Sequence, residues 1–74
     1  MTVKEIYEKL LKAKRPFEFF GAVTTEEELK KEFRRYAKLI HPDMVPEKDK
    51  YIAGESFGIL DKLYETGLDE LAQG

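Results

Sequence analysis

Residues 24–46 read TTEEELKKEFRRYAKLIHPDMVP, and this stretch decides how the rest of the chain is arranged. Leu29, Phe33, Tyr36, Ala37 and Ile40 fall within an arc of roughly 100° on a helix, wide enough to face a core. Thr25 followed by Glu28 has the form of a capping box, which sets the helix start. Glu26, Glu27 and Glu28 crowd the positive N-terminal turn and cations dominate later, the order that the helix dipole favours. Lys30, Arg34 and Lys38 recur at i, i+4 and i+8, and Lys31 and Arg35 extend the same side. Pro42 restricts His41 away from helical angles, so this helix is expected to end near Ile40. HPDMVPEKD then reads as a loop, stiffened on its far side by Pro46.

Towards the C-terminus, Glu47 or Asp49 starts a further helix. Ala53, Phe57, Leu60 and Tyr64 form its main apolar stripe, flanked by Ile52, Ile59 and Leu63. Gly54 and Gly58 either weaken it by about 1 kcal/mol each relative to alanine or admit a close neighbour. Gly67 is expected to cap it, leaving 67–74 as a short helical stub or tail. The short connection predicts that these two helices pack antiparallel, with His41, Pro42 and Asp43 at the tip of the hairpin.

Towards the N-terminus, RPFEFFGAV is too apolar for a solvated loop. Phe17, Phe19 and Phe20 are expected to close the core from a short helical turn ended by Gly21. Residues 1–15 form a separate amphipathic helix, with Val3, Ile6, Tyr7, Leu10 and Leu11 at helical spacing and Thr2–Glu5 as its capping box. Lys12, Lys14 and Arg15 suit its negative end, and Pro16 discourages continuation. The expected core is Tyr7, Leu10, Phe20, Leu29, Phe33, Ala37, Ile40, Phe57, Leu60 and Tyr64. No strand signal is present, so the fold class is all-α.

The totals bound the function. The chain has 74 residues, which suits one small domain with a thin core. It is 42% hydrophobic and 38% charged, a globular balance. With no cysteine, disulfides, zinc knuckles and thiol chemistry are excluded and a reducing compartment is compatible. No apolar run approaches a membrane span, and the charged N-terminus lacks the apolar block of a signal peptide. A cytoplasmic, monomeric protein is expected, with no cofactor and no metal. Net charge is −2, so any attraction for a polyanion is local.

His41, Pro42 and Asp43 each have a structural explanation: histidine suits a helix C-terminus, helices end before proline, and aspartate is common in turns. Their context favours more. FRRYAKLIHPD resembles the characteristic stretch of the J-domain, the module that defines DnaJ-type co-chaperones. RPFEFFGAV resembles that family's opening segment, and Phe57, Leu60 and Tyr64 are similar to the apolar pattern of its third helix. The resemblance covers residues 16 to 66; residues 1–15 lie outside it and serve either as extra packing or as a docking element.

The resemblance implies an antiparallel hairpin of the family's second and third helices with His41, Pro42 and Asp43 in its loop. It implies binding to a DnaK-class heat-shock chaperone and stimulation of that partner's ATP hydrolysis, with no enzymatic activity of its own. By position, His41, Pro42 and Asp43 match the stimulating tripeptide, Lys30, Arg34 and Arg35 the basic contact surface, and Phe33 the aromatic beside it. Lys31 and Lys38 lie on the same basic faces and join the partner-binding set. Several positions depart from the family. Met44 and Val45 replace basic and polar residues, Lys38 stands one place early, Gly58 follows Phe57, and KLYETGLDEL replaces a QKR-like stretch.

Two alternatives follow from the same residues. One is a J-like interaction module that binds without stimulating. The other is nucleic-acid binding by KKEFRRYAK, disfavoured by Glu26 to Glu28 and Glu32 on the same helix and by the negative net charge. A His41/Asp43 catalytic pair lacks a nucleophile, since Ser56, the single serine, falls mid-helix. The chain carries no client-binding domain, zinc module or Gly/Phe-rich linker, which is compatible with one domain of a longer protein.

Overall fold

The computed structural model describes residues 2–73. Met1 and Gly74, which begin and end the expected first and last segments, lie outside the described residues. Four helices follow one another: α1 (Val3–Lys12), α2 (Pro16–Phe20), α3 (Glu26–Ile40) and α4 (Lys50–Gln73). Between α3 and α4 the connection is more ordered than a loop, for it holds two 3-10 turns, Pro42–Met44 and Glu47–Asp49. Among the described residues there is no strand.

The Thr2–Glu5 box closes in both directions. The Glu5 amide donates to Thr2 Oγ1 at 3.2 Å and the Thr2 amide to Glu5 Oε1 at 3.0 Å. Helix α1 packs on α4 and buries Ile6 and Leu10 completely or nearly so. Leu11 instead points outward at 58% exposed, and Tyr7, expected in the core, is only half-buried. The helix stops at Lys12, and the Lys14 amide donates to Glu18 Oε2 at 3.0 Å, tying the link to α2.

Pro16 occupies the first position of α2, where its missing N–H costs nothing. Phe19 and Phe20 are buried. Gly21, at φ 89°, ends the helix in a conformation that a side chain would strain.

Thr25 caps α3 by accepting from the Glu28 amide at 3.2 Å. The return arm differs from the expected box: Glu28 Oε1 accepts from the hydroxyls of Thr25, at 3.2 Å, and Thr24, at 3.3 Å.

Helices α3 and α4 run antiparallel, as their contacts show in order. Leu29 lies against Gly67, the Phe33 ring stacks on Tyr64 with centroids 4.3 Å apart, and His41 meets Phe57 edge-on. As α3 advances, its partners on α4 recede.

One expectation about the end of α4 fails. Gly67 does not cap it; the helix runs on to Gln73, across the expected boundary between residues 66 and 67. Gly67 is buried because Leu29 and Pro16 press against it, so its role is close packing rather than termination. Gly54 and Gly58 behave oppositely, since a Cβ at either would meet nothing within 4 Å.

The core contains Ile6, Leu10, Phe19, Phe20, Leu29, Tyr36, Ile40, Ala53 and Leu60. Of the expected set, Phe33, Ala37, Phe57 and Tyr64 are half-buried at its margin. Ile6, Phe19 and Tyr36 are deeper than expected. Tyr36 reaches across to Phe19 with centroids 4.5 Å apart, which locks α2 onto α3.

Candidate functional site

The tip of the α3–α4 hairpin is built from the residues that stop α3. His41 adopts φ −62° and ψ 134°, the extended conformation required before Pro42. Pro42 then opens the 3-10 turn, and the Met44 amide donates to the His41 carbonyl at 2.8 Å. The Asp43 amide donates to His41 Nδ1 at 3.2 Å. Asp43 Oδ2 stands 3.7 Å from the same nitrogen. Because Nδ1 already accepts from an amide, the neutral ring carries its proton on Nε2 and the carboxylate is left without that hydrogen bond. The side chains of His41 and Asp43 are 51% and 89% exposed, so an acceptor anion and an imidazole both face solvent.

The cations lie along α3 beside this tip. Lys30, Lys31, Arg34, Arg35 and Lys38 line one open surface together with Glu27 and Leu39. Of the five, Arg35 is engaged within the molecule. Its Nε pairs with Glu32 at 3.1 Å, its guanidinium lies 4.9 Å from the Tyr36 ring centroid, and it donates to the Tyr36 hydroxyl at 3.3 Å. No ion pair among the described residues involves Lys30, Lys31, Arg34 or Lys38. Phe33 is not brought to this surface; it lies in the seam between α3 and α4, stacked on Tyr64 and edge-on to Phe57.

Sequence reasoning missed a groove that joins the two halves of the site. Ala37, Phe57 and Met44 give it apolar lining, and Arg34, Lys38 and His41 complete it. Met44 is 74% exposed. Arg34, Lys38 and His41 fall at i, i+4 and i+7, which was the available signal; the contribution of Phe57 from α4 had none. Ser56 is fully buried and offers no nucleophile to the surface. Among the described residues there is no cluster of three or more potential metal ligands, and no helix is long and apolar enough to cross a membrane.

An exposed His-Pro-Asp corner at the tip of an antiparallel hairpin, beside a basic helix face, is the arrangement implied by the resemblance. A curated J domain-containing protein of Drosophila melanogaster is 43% identical to this chain over 44 residues. Over that stretch the chain is similar to a J domain-containing protein. The match covers 60% of the chain and 15% of that relative, so most of the relative's length has no counterpart here. No family model matches the chain, and no solved structure matches it. The J-domain-like hairpin is here extended by α1, which lies against α4 and contributes Ile6 and Leu10 to the shared core.

Proposed function

We propose that this J-domain-like chain binds a DnaK-class chaperone and stimulates its ATP hydrolysis, performing no catalysis itself. One observation carries the reading: His41, Pro42 and Asp43 project from the hairpin tip, with Lys30, Lys31, Arg34 and Lys38 in no ion pair among the described residues along the adjoining face. Free cations draw the chain to an acidic partner surface and orient it there. The ring of Pro42 fixes the corner before contact, which lowers the ordering cost of binding. Asp43, an exposed acceptor, pairs with a cationic side chain of the partner.

A single-turnover ATPase assay with a DnaK-class chaperone tests this. The native chain is expected to accelerate hydrolysis, and His41→Gln to abolish the acceleration with its helical circular-dichroism signal intact. Full stimulation by a folded His41→Gln chain counts against the reading. Met44 supports a second reading, since this apolar residue stands where the resemblance leads one to expect a basic or polar one. On that reading the chain occupies the chaperone without activating it; binding without acceleration in the same assay identifies this case.

A further inference from the structure

His41 holds the corner with two acceptors, not one. Its carbonyl accepts from the Met44 amide at 2.8 Å and its Nδ1 from the Asp43 amide at 3.2 Å. Pro42 stands between them and brings no amide to satisfy. The imidazole thus does for the Pro42–Met44 turn what a serine or aspartate does at a helix start: it satisfies an amide that the turn itself leaves unpaired. The ring is fixed from the other side by Phe57, edge-on at 87° and 6.5 Å between centroids. The cap holds the Asp43 backbone and so sets the direction of its Cα–Cβ bond, while Asp43 Oδ2 stands 3.7 Å from Nδ1.

We propose that His41 is a positioning residue, whose Nδ1 lone pair caps the Pro42–Met44 turn and thereby aims the Asp43 carboxylate at the partner. This rests on the function proposed above. Its chemistry selects the substitutions. Asparagine places Oδ1 where histidine places Nδ1, one atom beyond Cγ, and it is a strong capping residue. Glutamine carries its amide one carbon further out and cannot reach the Asp43 amide in the same way.

Three measurements on the full chain test the proposal. In the free protein, the imidazole nitrogen shifts should show the tautomer protonated on Nε2. Solvent exchange of the Asp43 amide should be slow in the native chain and His41→Asn, and about fivefold faster in His41→Gln and His41→Ala, the size expected for a lost cap. In the ATPase assay, His41→Asn should keep most of the stimulation that His41→Gln loses. The proposal is overturned if His41→Asn protects the Asp43 amide yet stimulates no better than His41→Gln, or if the Nδ1-protonated tautomer predominates. If the native chain fails to stimulate, the functional reading falls, and the tautomer and exchange data still decide whether the cap exists.

Discussion

A Cβ added at Gly67 would stand 2.9 Å from Leu29 Cδ2 and 3.3 Å from Pro16 Cβ. Leu29 and Pro16 are both fully buried, so neither has space to retreat. Overpacking of this kind costs about 1–3 kcal/mol, against about 1 kcal/mol gained from the better helix propensity of alanine. Gly67→Ala is therefore expected to destabilise the fold by about 1 kcal/mol, a fall in melting temperature of roughly 4–8 °C for a domain of this size. Gly58 lies in the same helix with open space around it, so Gly58→Ala should raise stability by about 1 kcal/mol. Thermal unfolding of both variants checks the pair; a rise at both positions would show that the α2–α3–α4 junction is loose. The sequence around the two glycines does not reveal which one has room for a side chain. Their difference comes from residues 38 and 51 positions before Gly67, which local pattern cannot weigh. The same limit applied to Tyr36 and Phe33. Both lie within the apolar stripe of α3, and only the arrival of Phe19 on one side and Tyr64 on the other decides which is deep.

The elements themselves were largely legible because their ends are set by local chemistry. The Thr2–Glu5 box, the Thr25 cap, Gly21 and the stop imposed by Pro42 all act within a few residues. The end of α4 was not legible, since a glycine that elsewhere terminates a helix is here retained inside one by packing. Local chemistry also gives α1 a dependence on pH. The hydrogen bond from the Thr2 backbone, followed by that from its side chain, holds the Glu5 carboxyl below its ordinary value. A lowered carboxyl pKa contributes stability that is present above the unfolded value and lost as pH falls through the folded one. The first turn of α1 should therefore loosen under acid before the buried part of the helix does. Following the Thr2 amide by nuclear magnetic resonance from neutral pH downwards should show this release. In Glu5→Gln, which keeps an acceptor but no titrating charge, the acid transition of the Thr2 amide should disappear. Its persistence in that variant would assign the transition to another group.

At the scale of the whole molecule, charge is segregated in a chain whose total hides it. Thirteen cations and fifteen anions leave a net of −2, yet α3 presents Lys30, Lys31, Arg34 and Lys38 along one side without an ion pair among the described residues. The packing explains how this arises. Tyr36, Leu29 and Ile40 turn the apolar side of α3 into the core, which leaves the cations no route but outward. Arg35 is the exception because it lies nearest Tyr36 and folds back over that ring. The place of His41, Pro42 and Asp43 at the hairpin tip and of the cations on one side of α3 was legible from spacing, whereas the groove was not, because α4 contributes to it from far along the chain. Exposed charges of this kind act mainly on the rate of encounter, where steering contributes about tenfold or more and is screened by salt. Reversing three of them (Lys30→Glu, Arg34→Glu and Lys38→Glu together) should slow association with the DnaK-class partner proposed above by about tenfold or more at low salt. The rate of dissociation should change far less, and the native salt dependence should flatten in the variant. Stopped-flow binding at several ionic strengths separates the two rates. A variant that associates at the native rate but dissociates faster would mean that these cations make close contacts in the complex rather than guiding its approach.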